Sequence, residues 1–292
     1  MMDDFDINKF NEFMDKIHYE RIPIRNLVSN QDYQRGLSEI HVKRAVENFD
    51  PYQINPVKVS RRDGVNYVFN GQHTIEIVAK KTQSRDTTVW CMVFEDLEYG
   101  HEADIFANQQ KYVKPLTPYE IFVANIEAQN EEQLIIKDLV ESYNLFITSK
   151  KTPGGICAIS TLEYIYNKFG YHILDATLRL CIATWEGDVN SLTANILKGI
   201  AKLIVAYQDE LDEIQFKEKL GRCSIREIVR SASERSNGSL GYAEAMLSFY
   251  NKRMRAPLQI YKLYNKRNVV LPDYIDDEED EEDKYVEEET IY

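Results

Sequence analysis

The run Asn70-Gly71-Gln72-His73-Thr74 carries the residue types and spacing best suited to chemistry. It follows a β-rich stretch, 65–69, and precedes Ile75, Val78 and Ala79, which begin a helical pattern. A glycine at the mouth of a helix lets the backbone approach a ligand closely. The first-turn N–H groups lack intrahelical partners and attract anions. Gln72, His73 and Thr74 add side-chain donors, so a phosphate is the natural guest. An imidazole beside a phosphate can act as acid, base or hydrogen-bond donor, which makes His73 the candidate catalytic residue. Glu76, three residues on, either orients His73 across one helical turn or faces solvent. The alternative is an ordinary strand-to-helix turn, with Thr74 as N-cap and His73 a surface side chain.

The surrounding elements must hold this loop. Phe10, Phe13, Met14 and Ile17 share one helical face, which predicts a short helix within 1–18. Residues 19–27 read as extended. Ser38 is a plausible N-cap for a helix carrying Val42, Ala45, Val46 and Phe49, closed by Pro51. Residues 56–60 and 65–69 read as a hairpin about Asp63-Gly64, and 87–94 as a further strand. Strand signals then stop. Helical patterns follow at about 98–111, 117–129, 132–143, 158–169, 172–186, 190–207, 210–220, 224–235 and 239–254.

In the helical part, Leu162, Ile165, Tyr166 and Phe169 form one stripe, and Leu174, Leu178, Cys181, Ile182 and Trp185 another. Such stripes are packing faces. Two basic clusters stand apart in sequence. Lys217, Lys219, Arg222, Arg226, Arg230 and Arg235 form the first. Lys252, Arg253, Arg255, Lys262, Lys266 and Arg267 form the second, interleaved with Tyr250, Tyr261 and Tyr264. Cations with tyrosines suit nucleic acid, for phosphates and stacking, and equally suit a solvated face paired with acids. Arg226, Arg230, Lys252, Arg253, Arg255 and Lys262 are the candidate nucleic-acid contacts.

The net charge of −13 is unevenly placed. Residues 276–289 hold 11 acidic side chains and one lysine, which leaves only −3 for the rest. That balance excludes a protein that coats nucleic acid by uniform positive charge. Charge repulsion predicts a disordered tail. If the tail competes with nucleic acid for the second cluster, deleting 276–292 should tighten DNA binding at low salt. Unchanged affinity in a gel-shift titration would leave it a solubilising tail. The apolar runs are short, such as Leu203-Ile204-Val205-Ala206, so no membrane partner is expected, and the acidic N-terminus points to a cytoplasmic protein. Cys91, Cys157, Cys181 and Cys223 are widely spaced among apolar residues. Four buried, reduced thiols are expected, not a zinc site.

Four segments, in order, resemble the ParB/sulfiredoxin superfamily. They are Tyr33-Gln34-Arg35; Gln53-Ile54-Asn55-Pro56-Val57-Lys58-Val59; Tyr67-Val68-Phe69-Asn70-Gly71-Gln72-His73-Thr74; and Asn108-Gln109-Gln110-Lys111 followed by Leu116-Thr117-Pro118-Tyr119-Glu120. The resemblance covers roughly 19–125. Together with the shift from mixed to all-helical patterns near residue 97 and the acidic tail, it gives an α+β fold: an extension over 1–18, a small ParB-like α/β domain over 19–130, an all-helical domain over 131–272 and an acidic disordered tail over 273–292. It implies a nucleotide, CTP or ATP, with Mg2+. Gly71, Gln72, His73 and Thr74 would lie on its phosphates, the segment with Asn108, Gln109 and Lys111 would flank phosphate or metal, Ile54 and Asn55 would lie near the base, and Arg35 would add positive charge. It further implies a homodimer and a DNA partner, with a helix-turn-helix after the α/β domain; 132–143 and 160–170 are the candidate helices, joined by an overlong loop.

The chain departs from that pattern in places. His73 and Thr74 stand where ParB has two arginines, and Ala107 where it has an acid, which weakens phosphate and metal binding. Gln72 stands where sulfiredoxin has its catalytic cysteine, so that chemistry is not expected. The Gln-His loop resembles a divergent branch found with phage and mobile-element proteins. The expected function is therefore a nucleotide-binding, DNA-associated protein of a bacterium or mobile element. The alternatives are an enzyme using the same pocket, either a nuclease or a small-molecule phosphotransferase, and a ParB fold kept as an interaction module.

Overall fold

The computed structural model describes residues 6–29, 36–108, 111 and 114–264. The chain divides into two compact units, Met1–Lys114 and Pro115–Tyr292. The fold is α+β, with a five-stranded sheet in the first unit and helices dominating the second.

In the first unit, α1 (Ile7–Met14) is capped by Asp6, whose carboxylate accepts the Asn8 N–H. Ile17 does not extend that helix. It opens β1 (Ile17–Pro23), because the chain here pairs antiparallel with β5. The strands β2 (Leu27–Ser29), β3 (Val57–Arg62), β4 (Val65–Asn70) and β5 (Thr88–Glu95) complete a sheet of order β1-β5-β3-β4-β2. β3 and β4 form the expected hairpin. Asp63 and Gly64 both have positive φ (49° and 75°), the twist a two-residue turn needs.

Period-2 alternation divides the sheet's side chains. Ile22, Val57, Val59, Val68, Val89, Cys91 and Val93 form one core with Ile75, Val78 and Ala79 of α3 (Gln72–Thr82). Phe69, Phe94 and Leu97 pack with Ile17, Met92 and Ile105, the last from α4 (Tyr99–Asn108). α2 (Glu39–Glu47) starts as predicted at Ser38, which accepts the His41 N–H. Lys81 of α3 donates to the Val46 carbonyl, 3.1 Å away, and lies over the Phe49 ring, tying α2 to α3.

The second unit holds α5 (Pro118–Glu127), α6 (Glu131–Ser142), α7 (Ile159–Phe169), α8 (Tyr171–Trp185), α9 (Ala194–Tyr207), α10 (Glu213–Leu220), α11 (Ile225–Ser233) and α12 (Gly238–Asn251). The expected divide at 130 differs from the one found: Phe122 of α5 is buried in the helical core, so α5 belongs with the second unit. Both apolar stripes pack as expected. Leu162, Ile165, Leu174, Leu178 and Cys181 are buried, and Trp185 meets Phe216 edge-on.

Two expectations are corrected. Between α6 and α7 lies a parallel pair, β6 (Phe146–Ile147) and β7 (Gly155–Ile156), so these helices do not form a helix-turn-helix. The four cysteines are not alike: Cys91 and Cys181 are buried, Cys223 is half-buried and Cys157 is exposed. Burial pushes the Cys91 thiol up to about 11 and the Cys181 thiol to about 12. The acidic run 276–289 lies outside the described residues. Among the described residues no helix is long and apolar enough to cross a membrane.

Candidate functional site

β4 ends at Asn70, paired with Lys58, and the next residue turns the chain into α3. Gly71 is the N-cap of α3 and adopts φ 103°, a left-handed conformation that side chains disfavour. A Cβ built on it would stand 3.1 Å from the Val57 Cα. The loop therefore rests on the start of β3, directly after Ile54, Asn55 and Pro56. Ile54 is half-buried against the sheet core and Asn55 is exposed.

The helix begins earlier than its apolar pattern suggests. Ile75 N–H already donates to the Gly71 carbonyl at 3.0 Å, so Gln72, His73 and Thr74 form the first turn and Thr74 is not the N-cap. No side-chain hydrogen bond caps this end. All three residues are half-buried.

His73 is engaged. The Ser38 N–H donates to its Nε2 at 3.2 Å, and its ring meets His41 edge-on with centroids 5.4 Å apart. An accepting Nε2 places the neutral ring's proton on Nδ1. This bond also sets the N-terminus of α2 beside that of α3, so two helix dipoles present their positive ends side by side. Glu76 does not orient His73; its carboxylate pairs with Arg85.

The other candidates are less gathered. Asn108 sits in the last turn of α4, and its amide donates to the Asp104 carbonyl (3.0 Å) and carboxylate (2.9 Å). Lys111 is exposed, and its N–H donates to the Asn108 carbonyl. Arg35 and Gln109 lie outside the described residues. Among the described residues no three His, Cys, Asp or Glu side chains form a metal site.

Of the basic candidates, Arg226 and Arg230 are exposed on α11, and Lys252, Arg253 and Arg255 are exposed just past α12. Lys262 is half-buried and pairs with Glu210. Sequence reading missed the Ser38–His73 bond, whose partners stand 35 residues apart with no local signal. It also missed the ion pair of Arg62 with fully buried Glu102 at 3.0 Å.

A family model matches residues 28–267. The chain belongs to the DUF6551 family. That family is described as one of unknown function. No curated protein matches this DUF6551 chain. Among solved structures it is similar to the C-terminally truncated chromosome-partitioning protein ParB from Caulobacter crescentus complexed with CTP-gamma-S. The two share 17% identity with a TM-score of 0.34, over 70% of this chain and 98% of that one.

Proposed function

We propose that this DUF6551 protein is a nucleotide-binding, DNA-associated protein whose α3 N-terminus holds the nucleotide's phosphates. The observation that carries the reading is the start of α3. A left-handed glycine, which brings no capping side chain of its own, opens the helix, and the N-terminus of a second helix is drawn beside it by His73. Gln72 and Thr74 stand in the same turn as side-chain donors. Ile54 and Asn55, next to the loop through Val57, would meet the base. The four-segment resemblance supports the same ligand class. His73 serves in this reading as the residue that positions the loop, since its Nε2 already accepts a backbone N–H. Magnesium would arrive on the phosphates of CTP or ATP, with ligands that are largely phosphate and water. The nucleotide would act as a switch on how the protein engages DNA, and a homodimer is the assembly that the resemblance implies.

Calorimetric titration with CTP, ATP, ADP and GTP, with and without magnesium, tests this. Saturable binding is expected, and Gly71→Trp should abolish it. Since a side chain at Gly71 would crowd the Val57 backbone, Gln72→Glu provides a second variant. It places a carboxylate where the phosphate would lie while suiting a helix N-terminus, and should weaken binding at least about tenfold. Equal binding by Gln72→Glu would move the nucleotide elsewhere. No binding by the parent chain would leave the α/β unit as an interaction module. Turnover in the same mixtures would favour the enzyme alternative.

A further inference from the structure

The two basic clusters that the sequence separates are joined in the fold. Lys219, near the end of α10, donates to the Tyr250 carbonyl (2.8 Å) and the Lys252 carbonyl (2.9 Å). It thereby fixes the end of α12, and the Lys252-Arg253 turn after it, to the end of α10. The α10–α11 connection starts from the same place. It is four residues long, Gly221-Arg222-Cys223-Ser224, and begins with a glycine. A Cβ on Gly221 would stand 2.6 Å from the Lys217 carbonyl oxygen, so the turn tolerates no side chain there without shifting.

Ser224 and Glu227 form a capping box that starts α11. Hydrogen bonds from the Ser224 backbone and hydroxyl hold the Glu227 carboxyl below its ordinary value, against slight desolvation, and the Lys252 charge adds to them. Lys252 is therefore within electrostatic reach of the first turn of α11. Ile228 and Ala232 are buried, whereas Arg226, Val229, Arg230 and Ser233 are exposed. These four recur at i, i+3, i+4 and i+7, one outward stripe.

Cations outnumber acids on this face. Among the described residues Arg226, Arg230, Lys252, Arg253 and Arg255 make no ion pair, whereas Arg179 and Lys262 of the same unit do. The Glu227 carboxylate is occupied by its cap. The other acids on or next to these two helices are Asp212, which caps α10, Glu213, which pairs with Arg179, and Glu218 and Glu234. An exposed basic helix is how many proteins address the DNA major groove. Arginine suits guanine edges and phosphates, and valine suits the thymine methyl.

We infer that the outward face of α11 and the turn after α12 dock duplex DNA, with Arg226, Val229 and Arg230 in the major groove and Lys252, Arg253 and Arg255 on neighbouring phosphates. The inference rests on the DNA-associated half of the proposed function and needs no nucleotide.

The test is fluorescence anisotropy of the full chain with a labelled duplex of about 30 base pairs, without nucleotide, from about 50 to 200 mM salt. Arg226→Glu with Arg230→Glu should weaken binding at least about tenfold at the lowest salt, and should flatten the salt slope by about two. Lys252→Glu with Arg253→Glu should act alike. Circular dichroism melting checks that both double variants stay folded, as exposed positions predict. Lys150→Glu with Lys151→Glu, two exposed lysines between β6 and β7, should leave binding unchanged. Three results would overturn the inference: no duplex binding by the parent chain, equal loss in the Lys150 and Lys151 control, or tighter binding of single-stranded DNA or RNA than of duplex. Because nucleotide is absent and Gln72→Glu is titrated alongside, failure at the α3 site leaves this result standing.

Discussion

Gly241→Ala is expected to destabilise the helical unit by about 3 kcal/mol, the upper range for overpacking in a tight site. A Cβ at this position would stand 2.0 Å from the Ser236 carbonyl oxygen and 3.0 Å from that of Ala232. Both obstacles are backbone, so no side-chain rotation relieves them. The turn between α11 and α12 lies directly over this glycine. Its displacement would also disturb Ser236, whose N–H and hydroxyl donate to the Glu244 carboxylate at 3.3 and 2.7 Å. Burial pushes the Glu244 carboxyl up, but hydrogen bonds from Tyr264 and Ser236 outweigh it and hold the carboxyl below its ordinary value of 4.5. A depressed carboxyl stabilises the fold fully above its unfolded value and loses that contribution as pH falls through the folded value. The variant should therefore be less stable at neutral pH and lose less on acidification than the parent. Denaturant unfolding followed by Trp185 fluorescence in a Trp90→Phe background reads both effects. An unchanged midpoint would mean that the turn relaxes freely.

Arg62→Met should lower the stability of the first unit by about 3 kcal/mol, near the lower end of what removing one partner of a buried ion pair costs. The Glu102 side chain is 0% exposed, and its Oε1 lies 3.0 Å from Arg62 Nη2; the Arg62 side chain is 23% exposed. The guanidinium also stacks 4.6 Å over the Tyr67 ring, a contact that methionine only partly replaces. Adding Glu102→Leu to Arg62→Met should recover much of the loss, because the charge left without its cation is then removed as well. Trp90 fluorescence in a Trp185→Phe background reports this unit separately. A loss under about 1 kcal/mol would show that water or neighbouring groups solvate Glu102 well enough alone.

The legible parts of this fold were those written locally. Alternation at Val57, Val59, Val68, Val89, Cys91 and Val93 marked the strands, and Asp63-Gly64 marked their turn. Stripes at Leu162, Ile165, Leu174 and Leu178 marked the helix faces. Other features depend on partners distant in sequence. β6 and β7 are two residues each, too short for any periodicity, and exist because Phe146 and Ile147 meet Gly155 and Ile156. The start of α3 was misplaced because its first turn is polar and its apolar pattern begins only at Ile75. For the candidate site, the glycine was visible and its handedness was not. The bond from Ser38 to His73 and the link from Lys219 to the end of α12 both span about thirty residues or more, beyond any local pattern.

The border strand β1 bears on how the chain behaves in a crowd. Among the described residues β1 pairs with β5 alone, leaving its other side open to a foreign strand. Aggregation begins along such borders when they are long, flat and apolar. This one carries His18, Glu20 and Arg21 and closes on Pro23, which has no N–H to offer. A strand added there would have to dehydrate several charges and would find the ladder cut short. Growth of the sheet along this border is thereby discouraged.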